Sequence, residues 1–133
     1  MSQHDSVLSI GERYSKQDVL NALTRGKGTV MTYALQVNGR IWAMFLDEEL
    51  NPKCPKLVYV GTGPGRERSA EIADMQKIPF AVLIKKDKDV FEYIGDFLVG
   101  GASRDKKHTD PASEEIGRPV SRVLRLEAVE PAV

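Results

Sequence analysis

Between two runs rich in β-branched and aromatic residues, at 29–37 and 40–46, stands the dipeptide Asn38-Gly39. A two-residue type I′ turn needs positive φ at both central positions, which asparagine and glycine tolerate best. The spacing therefore predicts a β-hairpin. In its first arm Met31, Tyr33, Leu35 and Val37 alternate onto one face. In its second, Trp42 shares a face with Met44 and Leu46, opposite Ile41 and Phe45. One of these faces points inward, so either Trp42 or Phe45 is left partly exposed.

The flanking segments extend this pattern. Residues 1–10 are polar and read as a flexible N-terminus, followed by one domain over 11–130. Ser15 is a good helix N-cap with Asp18 at N3, and Tyr14 and Val19 take the staple positions. Leu20 and Leu23 continue an apolar stripe, and Gly26 supplies the stop. Pro52 and Pro55 mark 47–56 as a loop. A short strand at 57–60 leads into the glycine-rich turn Gly61-Thr62-Gly63-Pro64-Gly65, and Ser69 caps a short helix that ends near Gln76. Residues 80–85 are nearly all apolar, as in a strand covered on both faces. Asp87-Lys88-Asp89 turns that strand into 90–97, a second hairpin. Residues 100–118, with Lys106, Lys107, His108 and Pro111, read as a long polar loop before a last strand at 119–129. The order α-β-β-β-α-β-β-β, joined by hairpins, indicates an α+β fold. Its simplest form is a small, partly closed antiparallel β-barrel flanked by two short helices.

Composition removes several functional classes. The 133 residues are 41% hydrophobic and 29% charged, a globular balance. Lys plus Arg equals Asp plus Glu at 19 each, for a net charge of zero. A protein held to nucleic acid by bulk charge is thereby excluded, whereas a local basic face is not. No apolar run approaches the ~18 residues of a membrane span, and the opening MSQHDSVLSIGE lacks a secretory pattern. With Cys54 as its single cysteine the chain is expected to be cytoplasmic, with no membrane partner. His4 and His108 are the only histidines, so zinc-finger and HExxH sites lack ligands, and no metal or cofactor is expected.

The motif Tyr59-Val60-Gly61-Thr62-Gly63-Pro64-Gly65-Arg66 lies between a strand and a helix and admits three readings. Its glycines would let backbone N–H groups approach the phosphate of a nucleotide, or the segment would hold S-adenosylmethionine. That geometry belongs with successive parallel strands and an acidic residue about 20 positions on, whereas a hairpin follows here. A tight structural turn is the second reading. The third is a loop approaching a nucleic-acid backbone, helped by Arg66 and Arg68. Most aromatics must serve the core, though one exposed beside Arg40 would suit base stacking. Asp47-Glu48-Glu49 reads as a solvated turn more readily than as a cation site. His108 and Cys54 have no evident catalytic partners, so the residues favour binding over catalysis.

The segment 57–96 is similar to SRA-like domains of the PUA-like superfamily, found ahead of HNH modules in McrA-like modification-dependent restriction enzymes. The resemblance rests on Tyr59-Val60-Gly61-Thr62-Gly63, on Gly65, on Phe80-Ala81-Val82-Leu83-Ile84 and on Tyr93-Ile94-Gly95-Asp96. Gly117-Arg118-Pro119 before the last strand and Ile10-Gly11-Glu12-Arg13-Tyr14 before the first helix add to it. The chain departs from that pattern in having Arg66-Glu67 after Gly65 and Gln76-Lys77 before the next strand. The resemblance implies a non-catalytic reader of DNA carrying a modified base, with a nuclease or another protein subunit as a further partner. In that role Tyr33 and Trp42 would stack on bases. Tyr59 and the glycines Gly61, Gly63 and Gly65 would approach the strand, and Arg40, Arg66, Arg68 and Lys107 would contact phosphates. Two other functions remain open: a small interaction module, subunit or inhibitor, of a defence or phage system, and a nucleotide- or S-adenosylmethionine-binding enzyme.

Overall fold

The computed structural model describes residues 8–129 apart from Thr32. Residues 1–7 of the expected flexible N-terminus lie outside the described residues, while Leu8 is buried. The described elements are β1 (Arg13–Tyr14), α1 (Lys16–Thr24), β2 (Thr29–Met31), β3 (Ala34–Val37), β4 (Arg40–Leu46) and β5 (Leu57–Gly61). They continue with α2 (Pro64–Met75), β6 (Phe80–Asp87), β7 (Val90–Ser103), α3 (Lys106–Ile116) and β8 (Val120–Ala128). Among them no helix is long and apolar enough to cross a membrane.

The Asn38-Gly39 hairpin forms as its residues dictate, with φ of 51° and 73° at the two central positions. Val37 sits opposite Arg40, and the register then shifts at Leu35/Gln36, so that Ile41 and Ala43 are paired and Trp42 is the extra residue of a bulge. A bulge of this kind reverses the alternation beyond it. Trp42 and Phe45 consequently pack on the same cluster rather than on opposite faces; Phe45 is buried and Trp42 half-buried. The run 29–37 is also not one strand. It breaks into β2 and β3, which pair with each other with Met31 opposite Ala34. Tyr33 lies in the intervening turn and packs on a different cluster from Leu35.

The sheet is an open, curled half-barrel with strand order β2-β3-β4-β6-β7-β8-β5 and β1 paired to β7. The α+β architecture thus holds, with three corrections of detail. First, the sheet is mixed, because β4 and β6 pair in parallel. The chain leaves β4 for the far edge, forms β5 there, and returns through α2. Second, α2 starts at Pro64, with Gly63 as N-cap at φ 127° and no side-chain cap, rather than at Ser69. Proline at N1 is pre-set for a helix and lacks an N–H that would be orphaned there anyway. Ser69 is instead buried mid-helix with Ala70 and Ala73, a small-residue face that lets α2 lie close to the sheet. Third, 100–118 is not a loop. β7 runs on to Ser103 and α3 follows, giving three helices instead of two. Asp105 caps α3 by accepting from Lys107 N at 3.0 Å, and Gly117 closes it in the left-handed region at φ 68°.

α1 has the capping box read from its sequence. The Ser15 hydroxyl accepts from Asp18 N at 3.0 Å, and the Asp18 carboxylate accepts from Ser15 N at 3.1 Å. The helices cover both faces of the sheet. Ile41, Met44, Val58, Phe80, Val82 and Leu124 pack with Ala70 and Ala73 of α2. On the opposite face Leu35, Phe45, Leu83, Phe91 and Tyr93 pack with Val19 of α1, and Tyr59, Val120 and Val123 pack with Ala112 of α3. Each fully buried side chain of this size contributes roughly 1.5–3 kcal/mol. At the end of α2, Gln76 accepts from Ile41 N and donates to Ile41 O, at 2.8 and 2.9 Å, which ties the helix to β4.

Candidate nucleic-acid interface

Opening the sheet into a half-barrel leaves a cleft of about 440 Å³ where the ends of β4 and β5, the turn after β4 and the glycine loop converge. Ligand sites generally lie in the range of about 300–1,000 Å³. Aromatic rings line this one: Tyr33, Phe45, Tyr59 and Phe91. Phe45 and Phe91 meet edge to face at 5.1 Å, and Lys16 Nζ lies 5.9 and 5.6 Å from their centroids. The lining also carries Lys16, Arg66, Lys85 and Arg118 against one carboxylate, Asp47. A chain of zero net charge thus concentrates cations around an aromatic recess.

Tyr33 is placed by the β2–β3 turn, where its carbonyl accepts from Phe45 N at 2.7 Å. Its hydroxyl donates to Arg66 O at 3.0 Å, across to the first turn of α2. Burial raises the Tyr33 hydroxyl far above the usual tyrosine range, with the Arg66 charge opposing the shift in part. Tyr59 is held by β5. Its N–H donates to Asn51 Oδ1 at 2.8 Å, and its hydroxyl donates to Glu115 Oε1 at 2.5 Å. Burial, then that hydrogen bond and the Glu115 charge, push the Tyr59 hydroxyl up to about 12.

The glycine loop has a specific steric role. A Cβ on Gly61 would lie 3.1 Å from Arg66 Cδ, and one on Gly63 would lie 3.6 Å from Arg66 Nη1. The Arg66 side chain folds back across these glycines, and Nη1 donates to Thr62 O at 3.3 Å. Arg66 therefore covers the surface that the sequence offered to an incoming phosphate, and it presents its own charge there.

Of the residues singled out from sequence, Tyr33, Tyr59, Gly61 and Arg66 line the cleft. Gly63 and Gly65 stand at its edge, as the cap and in the first turn of α2. Arg68 is exposed on α2. Arg40 and Trp42 lie elsewhere, stacked on one another with the guanidinium carbon 3.8 Å from the ring centroid, and burial lowers the Arg40 pKa. Lys107 belongs to a second cavity beside α3. The cleft also holds Lys16, Asp47, Asn51, Lys85 and Arg118, none of which the sequence reading had assigned to the site. Asp47 does form the expected turn, Oδ1 accepting from Glu49 N at 2.8 Å, but its Oδ2 also faces Lys85 Nζ at 4.0 Å. Among the described residues no three His, Cys, Asp or Glu side chains converge as a metal site.

No protein-family model and no curated protein matches the sequence. Among solved structures the chain is similar to a crystal structure of KRYPTONITE in complex with mCHG DNA and SAH. The TM-score is 0.57 at 12% sequence identity, over 95% of this chain and 33% of that one. The chain thus spans about a third of the length of that protein. At this identity the likeness shows the fold, an SRA-like half-barrel. It lends nothing to the narrower resemblance to McrA-like restriction enzymes.

Proposed function

We propose that this chain is a reader of DNA carrying a modified base, and that the cleft receives that base extruded from the duplex. The observation that carries the reading is the cleft itself, an aromatic recess bordered by four cations in a protein with no net charge. A flipped base needs stacking surfaces, a hydrogen-bonding group for its edge, and cations for the flanking phosphates. Tyr33 and Tyr59 supply the surfaces. Asp47, the single carboxylate of the lining, is positioned to accept from an exocyclic amine such as that of cytosine. Arg66, with Lys16, Lys85 and Arg118, meets the strand that enters and leaves the cleft, while Arg68, exposed two residues further along α2 and on a different side of it, adds only to the charge nearby. The fold shared with a protein solved in complex with mCHG DNA supports the same reading. Trp42 has no part in it, because it packs beside α1 under Arg40.

Substituting Arg66 and Arg68 together with alanine tests the basic face. Binding to a short duplex should weaken, and the slope of log K against log salt should flatten by about 0.9 for each phosphate that is no longer neutralised. Unchanged affinity and slope would remove the α2 end from the interface.

A further inference from the structure

A second cavity, of about 660 Å³, opens on the α3 side of the sheet. Its floor is apolar, formed by Leu57, the Tyr59 ring, Ala112 and Val123. Its rim is cationic: Lys53, Lys107 and Arg125 stand there with His108, against Glu115 as the one carboxylate. Glu115 is already engaged, accepting from the Tyr59 hydroxyl and lying 3.9 Å from Lys53 Nζ. The Lys53 and Lys107 pairs are both long, at 3.9 Å, on largely exposed side chains. Such surface pairs are weak and exchange readily for another anion. At the wall, Ser103 Oγ lies 2.7 Å from His108 Nδ1 and accepts from Asp105 N at 3.1 Å.

A drug-sized recess with an apolar floor and a few convergent polar groups has the general form of a small-molecule site. Arg125 is already held by Glu127 and by Gly100 O, so the cations free to exchange partners are Lys53, now facing Glu115, and Lys107, now facing Asp105; these two set the sign of the ligand. We propose that this cavity binds a small amphipathic anion, an apolar and preferably flat body carrying one carboxylate or phosphate group. Its body would rest on Leu57, Tyr59 and Val123, and its anion would meet Lys53, Lys107 and the His108 ring. The site is separate from the DNA cleft, sharing Tyr59 as a wall, and it stands whether or not the chain binds DNA.

The test uses the whole chain with two dyes, anionic 1-anilinonaphthalene-8-sulfonate and the uncharged N-phenyl-1-naphthylamine. Saturable fluorescence enhancement by the anionic dye is expected. Ala102→Trp, at an exposed position on the cavity wall, should weaken both dyes about tenfold by filling the recess. Lys53→Glu with Lys107→Glu, also at exposed positions, should weaken the anionic dye to a similar degree and leave the neutral one unchanged. Circular dichroism verifies that each variant is folded. Displacement by 2-naphthoate would point to a carboxylate as the anion, and displacement by 2-naphthyl phosphate, which has the same apolar body, to a phosphate. Absence of saturable binding, full dye affinity in the folded Ala102→Trp variant, or displacement by neither compound would overturn the proposal.

Discussion

Tyr59 joins the two cavities through one side chain. Its ring lines both, and its hydroxyl reaches Glu115 on α3. The pKa shift fixes the sign of a pH effect. The folded state holds the hydroxyl proton up to about 12, against 10.0 for the unperturbed group, so the folded chain binds more protons than the unfolded chain in between. The stabilisation is fully present below pH 10.0 and disappears as pH rises to about 12. Tyr33, also raised, acts in the same direction. Urea midpoints should therefore fall across that window, and Tyr59→Phe should flatten the fall. At neutral pH the same substitution should cost about 1–2 kcal/mol, because it removes a hydrogen bond to a carboxylate. A variant as stable as the parent at neutral pH, with the same alkaline decline, would show that the hydrogen bond to Glu115 contributes nothing.

The elements show where local signals sufficed and where packing overrode them. The Asn38-Gly39 turn, the Ser15 capping box and the doubly covered β6 were legible because each depends on residues adjacent in the chain. The third helix was not. Pro111 lies inside α3 and argues locally for a loop, since proline removes a helical hydrogen bond and crowds the preceding turn. The helix forms nonetheless, because Thr109, Ala112 and Ile116 recur at helical spacing on the face that packs toward β8. Pro111 is exposed and so gives little packing in return. Pro111→Ala should raise stability by roughly 1–3 kcal/mol in urea denaturation; an unchanged midpoint would mean that α3 is shaped around the proline. Gly28 is the opposite case. It holds φ 91° before β2, and a Cβ there would meet the Val37 side chain and approach Gln36 O to 2.7 Å. Backbone cannot yield as a flexible side-chain end does, so Gly28→Ala should cost more than about 2 kcal/mol. A thermal scan with an unshifted transition would contradict that placement.

At the scale of the whole molecule, the curl of the sheet determines the function proposed. Lys16, Tyr33, Asp47, Arg66, Lys85 and Arg118 come from separate segments and meet only because β4 and β6 run parallel while β5 closes the far edge. No spacing rule in the sequence could have gathered them. The tyrosines and Arg66 were found through their own chemistry, whereas the lysines looked like ordinary surface. With zero net charge, affinity for unmodified duplex should be low and salt-sensitive, and any preference must come from the cleft. The most direct measurement is binding of the whole chain to short duplexes carrying cytosine, 5-methylcytosine or 5-hydroxymethylcytosine, at about 50 and 200 mM salt. One modified duplex should bind about tenfold more tightly than the unmodified one, a difference of about 1.4 kcal/mol, and Tyr33→Ala should erase the preference. Equal affinity for all three duplexes at both salt concentrations, or no binding at the lower one, would contradict the reader function.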